Sequence, residues 1–203
     1  MIDGKQAQTK ANLIDEIAHR WSPRAFSDKP VNKDVLVRLF EAARWAPSSS
    51  NGQPWHFIVA IKGEAHYDKL FEGVNEGNQK WAWTAPVLGV SVAQRRFEYK
   101  NRENRHYMHD VGMAMGNLLA QATSEGLYVH QMGGIVPEVI YANFGIDEEK
   151  YEVVAMFVIG YQDENRLDEI DERFRESELK PRDRKPLSDF LYGESFGKNP
   201  DWI

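Results

Sequence analysis

The sequence predicts an α+β fold in which helices pack on the faces of one sheet, and three observations lead there. Short runs rich in β-branched and apolar residues recur as WHFIVAI (Trp55 to Ile61), VLGVSV (Val87 to Val92) and VVAMFVI (Val153 to Ile159), each dense enough to be a buried strand. Between the second and third runs, apolar residues return at helical spacing over a long stretch. Helical and extended segments mix along the chain with no internal repeat, low-complexity tract or linker rich in Pro and Gly.

Each element has its own local reason. Asn32 is an N-cap, and Leu36, Leu39, Phe40 and Ala43 recur at helical spacing up to Ala46, where Pro47 stops the helix. The segment from Ala46 to Trp55 is therefore a loop leading into the first strand. The long helix runs from Met108 to Gly126, with Val111, Met115, Leu118, Leu119 and Ala122 on one face. Tyr128 to Met132 is a further strand before Gly133 and Gly134, Glu138 to Phe144 a short helix, and Gly160 closes the last strand. From Tyr161 to Lys185 the chain is charged and reads as a solvated loop. The aromatic tail that follows, with Phe190, Tyr192, Phe196 and Trp202, needs cover from its own core or from a partner subunit.

A chain of 203 residues with 42% hydrophobic content can bury one sizeable core, so residues 1–203 are expected to form a single domain, with 161–203 as an extended arm. Lys and Arg total 25 against 31 Asp and Glu, a net charge of −6, which disfavours nucleic acid and acidic membranes as partners. The absence of cysteine excludes disulfides, thiolate metal sites and a cysteine nucleophile, and suits the cytoplasm. The N-terminal stretch lacks the apolar run of a signal peptide, and no uncharged stretch reaches membrane-spanning length.

Two segments carry chemistry. His19-Arg20-Trp21-Ser22-Pro23-Arg24 sets two guanidiniums and a hydroxyl close together, groups that can fork around a phosphomonoester. Alone, the same arginines serve equally as surface ion-pair residues near a helix end. Ala46-Pro47-Ser48-Ser49-Ser50-Asn51-Gly52-Gln53-Pro54-Trp55 gathers hydroxyls and carboxamides between prolines at a strand entrance. That array can read the edge of a planar heterocycle, whereas a plain Ser/Asn/Gly turn explains its composition but not the Asn and Gln alternating with prolines before a tryptophan.

In sequence and spacing, HRWSPRAFSDKPV and EAARWAPSSSNGQPWHFIVA resemble the signature of the FMN-dependent nitroreductase family. The likeness continues through APVLGVSV, HDVGMAMGNLLAQATSEGL, Gly133-Gly134 and the strand ending IGY, and so covers most of the chain. It implies a central, mostly antiparallel sheet flanked by helices in an intertwined homodimer, with FMN at the subunit interface and NADH or NADPH as reductant. By the resemblance, Arg20, Trp21, Ser22 and Arg24 bind FMN, with Arg20 toward the phosphate and Arg24 near N1 and O2 of the ring. Pro47, Ser48, Ser49, Asn51 and Gln53 belong to a loop that contacts the isoalloxazine and ribityl chain, partly of the flavin bound mainly by the other subunit. Met132, Gly133 and Gly134 present backbone to flavin N5, where close approach would exclude a side chain. Arg182 or Arg184, the latter favoured, completes the phosphate site.

No catalytic side chain is implied, since flavin N5 carries the chemistry. Phe97, Tyr99 and Tyr107 lie where substrate-facing residues of the family fall, though core or surface aromatics would look the same. His106, His109 and Asp110 have a spacing that metals use, but the resemblance puts them near the flavin pocket and no metal is expected. Motifs of P-loops, Rossmann folds, zinc proteases and serine hydrolases are missing. The expected function is transfer of reducing equivalents from NAD(P)H to a small electron-poor acceptor, a nitroaromatic, quinone or activated alkene or carbonyl, by ping-pong kinetics. The alternatives are flavin fragmentation or reductive dehalogenation on the same fold, or a flavin-binding protein without turnover.

Overall fold

A computed structural model describes residues 4–100 and 102–203 of the chain. Helix α1 (Asp15–His19) leads through an extended segment to α2 (Lys33–Arg44), where the Asn32 side chain accepts the Asp34 N–H at 2.8 Å and supplies the expected cap. Strand β1 (Trp55–Ile61) follows, then helices α3 (Ala65–Phe71) and α4 (Glu76–Ala82), and strand β2 (Val87–Gln94). A small hairpin of β3 (Arg96–Phe97) and β4 (Arg102–Glu103) precedes the long helix α5 (Tyr107–Ser124). Strand β5 (Tyr128–Met132), helix α6 (Pro137–Phe144), strand β6 (Tyr151–Gly160) and helix α7 (Glu172–Leu179) complete the order.

The main sheet runs β1-β2-β6-β5 with every neighbouring pair antiparallel. Its two faces carry two cores. Leu88, Val90, Val92, Met156 and Val158 point to one side, against Leu70 of α3, Trp81 of α4 and Ile140 of α6. Val87, Phe157 and Ile159 point to the other, against Leu36, Leu39 and Ala43 of α2 and Val111, Met115 and Leu118 of α5. Burial on both faces is why the strands read as unbroken apolar runs rather than alternating ones. A bulge between Ser91 and Val92 flips the alternation in β6, so Val153 joins the first core and Val154 the second. Gly89 is required by packing: a Cβ there would lie 2.4 Å from Cζ of the fully buried Phe157.

The charged segment 161–185 departs from its expectation as a solvated loop. It forms a 3-10 turn (Glu164–Glu169) and then α7, capped by Asp171, and it buries Ile170 and Glu178. Its charges are spent on pairs that dock it, Arg166 with Asp28 at 2.9 Å and Asp171 with Lys80 at 3.1 Å. Helix α1 ends at the arginine motif, which the sequence places at a helix end, whereas the short helices α3 and α4 had no sequence signal of their own, since seven residues hold too few apolar positions to show a period. Among the described residues no helix is long and apolar enough to cross a membrane.

Candidate functional site

Arg20 caps the C-terminus of α1 in an extended conformation, and the chain runs on without helix, bending at Arg24, to a bridge between Phe26 and Gln162. Side chains therefore alternate: Trp21, Pro23 and Ala25 are buried, while Arg20, Ser22 and Arg24 between them are partly open and share one side. The segment is clamped to the sheet end by His130, whose Nδ1–H donates to the Pro23 carbonyl at 2.9 Å, and by the Phe26 N–H, which donates to Thr84 Oγ1 at 3.3 Å. His130 lies tilted against Trp81, and burial holds its imidazole down to about 4, so it is a neutral strut.

The open side of that segment faces a cleft of about 260 Å³. The arm closes it with Ser177, Glu178, Lys180, Pro181, Arg182 and Arg184, and the N-terminal Lys5 enters from below. Six basic residues and one acidic residue thus line the same space. Burial first, then the charges of Arg182 and Arg184, lower the affinity of the Arg20 guanidinium for its proton. Arg182 is likewise pushed down by burial and by Arg184, and Lys5 by burial, with Arg24 and Arg182 adding and Glu178 opposing. Cations that disfavour one another in a half-buried cleft are relieved by an anion among them.

The arm's basic residues divide their work. Arg182 Nη1 donates to the carbonyls of Lys5 (2.8 Å) and Ala18 (3.2 Å), tying the arm to the N-terminal segment. Among the described residues Arg184 bonds its neighbour Asp183 alone, and it stays exposed, which leaves it freer to turn toward a ligand. Arg20 Nη1 donates to Ser22 Oγ at 3.3 Å. Trp21 is buried as the cleft wall, its ring edge-on to Tyr128 and covered by the Lys5 ammonium at 4.6 Å.

The serine-rich loop forms a second site. Ser50, Asn51 and Gln53 have φ of 52°, 53° and 44°, left-handed conformations that a non-glycine residue adopts at a cost of about 1–2 kcal/mol each. The loop is held in this shape by bonds at 3.1 Å or less, among them the Gln53 N–H to Ser48 Oγ, the Ser49 N–H to Asp110 Oδ2, the Gly52 N–H to the Ser49 carbonyl, and the Gln94 N–H to the Pro54 carbonyl. Pro47, Ser48 and Ser49 line a cleft of about 280 Å³ with His106, His109, Asp110 and Met113 of α5 and its approach. Asn51 and Gln53 are exposed beside it.

The remaining expected residues fall in three places. Met132 is core, the whole residue only 2% exposed, so its side chain serves the packing. Gly133 is open, with nothing within 4 Å of a built Cβ, whereas at Gly134 a Cβ would lie 2.5 Å from Asn75 Nδ2 and 2.8 Å from Asn78 Nδ2. Gly134 therefore owes its lack of a side chain to the α4 cap, since Asn75 caps that helix and Asn78 donates to the Gly134 carbonyl. Phe97 is buried and touches Gly52, which places it under the loop, while Tyr99 is exposed beside it and Tyr107 packs at the start of α5. Lys5 and Glu178 escaped sequence reasoning, because nothing local marks a lysine or glutamate that meets Arg24 across the fold.

The model of the Nitroreductase family matches residues 17–80 and 65–161. The oxygen-insensitive NAD(P)H nitroreductase of Salmonella typhimurium is 24% identical over 192 residues, covering 74% of this chain and 88% of that protein. A Streptomyces coelicolor protein provisionally named an NADH dehydrogenase/NAD(P)H nitroreductase is 34% identical over 91 residues, a match that spans 45% of this chain and only 43% of that relative. Among solved structures, an oxidoreductase containing FMN superposes with a TM-score of 0.88 at 31% identity, over 98% of this chain and 100% of the other.

Proposed function

The chain belongs to the nitroreductase family, and from that premise we propose that it is an FMN-dependent oxidoreductase that passes reducing equivalents from NADH or NADPH to a small electron-poor acceptor. The observation that carries this reading is the cationic cleft. The first motif, the N-terminal Lys5 and the arm are distant in sequence and converge on a space suited to a phosphomonoester, the group that distinguishes FMN from free flavin.

Arg20, Ser22 and Arg184 hold the phosphate, with Lys5 and Arg182 supporting the charge. Arg24 serves the ring as a cation, Asn51 and Gln53 serve it as neutral donors and acceptors, and the main chain at Gly133 serves it by close approach. The bound isoalloxazine supplies hydride acceptance from the nicotinamide and hydride donation to the acceptor. The protein's part is to bind, orient and exclude water, with the two substrates using the same open face in turn, hence ping-pong kinetics.

The cationic cleft and the serine-rich loop line separate concavities of one chain. This favours a homodimer in which the loop of one subunit completes the flavin site of the other. Exposed Leu13, Ile14 and Ile17 around α1, and Met108 and Met113 on the adjacent α5, form an apolar surface fit for such an interface.

An absorbance spectrum of the purified protein, followed by anaerobic addition of NADH or NADPH, tests the proposal. The expected result is a visible flavin band that bleaches with reductant and returns when a nitroaromatic or quinone is added. A colourless protein that takes up no added FMN would end it.

A further inference from the structure

Arg24 does not act on its cleft as a free cation. Both carboxylate oxygens of Glu178, 154 positions away, are committed to it: Oε2 accepts the Arg24 N–H at 3.0 Å and Oε1 accepts Nη1 at 3.1 Å. The guanidinium also lies over the rings of Trp81 at 5.8 Å and Phe174 at 5.3 Å, so its direction is set from several sides. Glu178 itself is 1% exposed and, among the described residues, is the one acidic residue lining the cleft. Lys5 is the other cation whose charge it feels. Burial raises the pKa of this carboxyl, and its bonds to Arg24 and the charges of Arg24 and Lys5 offset that only in part, which marks it as more than a surface ion pair.

Resting on the FMN reading above, we propose that Glu178 is a positioning residue that aims Arg24 and, by cancelling part of its charge, sets the reduction potential of the bound flavin. Two-electron reduction of FMN with uptake of one proton leaves a negative charge on the ring. A bare cation beside it favours the reduced form, and a cation already paired with a buried carboxylate does so less. Glu178 thus holds the potential below the value that Arg24 alone would impose.

The test compares the wild-type holoprotein with Glu178→Gln and Glu178→Asp, reading the midpoint potential of bound FMN by equilibration with a reference dye, alongside a melting temperature for each. Glu178→Gln should raise the ratio of reduced to oxidised FMN affinity about tenfold, equivalent to about 30 mV for a two-electron couple. Glu178→Asp, which keeps the charge but withdraws it by one methylene, should shift the potential the same way by less. A purely structural Glu178 would lower both melting temperatures and leave the potential unmoved, and a folded, FMN-loaded Glu178→Gln protein with the wild-type potential overturns the proposal. If Glu178→Gln does not fold, the potential of Glu178→Asp decides by the same criterion. Wild-type protein that holds no FMN overturns the functional reading and this proposal together, whereas FMN held at an unchanged potential overturns this proposal alone.

Discussion

At the scale of single residues, the proposed role of Arg20 as a charged donor to the FMN phosphate predicts that Arg20→Ala weakens FMN binding by about 1.5–3 kcal/mol, the scale of a hydrogen bond to a charged group. Fluorescence titration of the apoprotein with FMN measures this, and unchanged affinity would remove Arg20 from the site. The two neighbouring glycines should separate packing from function. Gly134→Ala displaces the Asn75 cap and should cost about 1–2 kcal/mol in unfolding free energy. Gly133→Val has open space and should melt near wild type while weakening FMN, so normal flavin retention in that variant would move the ring elsewhere. His130 gives a pH prediction. Its pKa is about 4 in the fold against an ordinary 6.5, so the unfolded chain takes the proton first. Its contribution is therefore complete above pH 6.5 and is lost as pH falls toward about 4, by about 3 kcal/mol in all. Denaturant unfolding of His130→Asn should lack this part of the acid slope, and parallel slopes in the two proteins would refute it.

At the scale of elements, the strands were legible because a sheet buried on both faces writes a continuous apolar run. Trp55–Ile61 and Tyr128–Met132 have the bounds expected of them. Helix α7 was hidden for the opposite reason: its charges make it look solvated, and the partners Lys80 and Arg24, with Ile170 and Phe174 packed on the first core, explain why it docks. The serine-rich loop was read as a site from its residue types, but its strain was not readable, since nothing in Ser-Ser-Asn-Gly-Gln says which residues turn left-handed. The strain is testable. Ser50 is exposed at a φ of 52°, so Ser50→Gly should stabilise the fold by up to about 1 kcal/mol in denaturant unfolding, with Ser50→Val destabilising it. Equal stabilities would mean that the loop relaxes at no cost.

At the scale of the whole molecule, the aromatic tail is only partly covered among the described residues, with Tyr192 half-buried against Phe196 at 4.9 Å. Phe190, Phe196 and Trp202 are 60%, 94% and 74% exposed, an apolar surface that the proposed homodimer would cover. The proposed homodimer is checked by light scattering, with Met113→Lys on the exposed face of α5 expected to shift the protein to monomer and to release FMN. A monomeric variant that keeps its FMN would place the whole flavin site within one chain. The sequence by itself determined the α+β class, the strand and main helix positions, and the residue types of a flavin site, because period, caps and motif chemistry are local properties of the chain. Only the tertiary structure decided that Lys5, Arg20, Arg24 and the arm share one cleft, that Glu178 occupies it with them, and that the serine-rich loop faces a different one. Those are contacts between residues far apart in sequence, selected by the packing of the whole chain, and no local pattern encodes them.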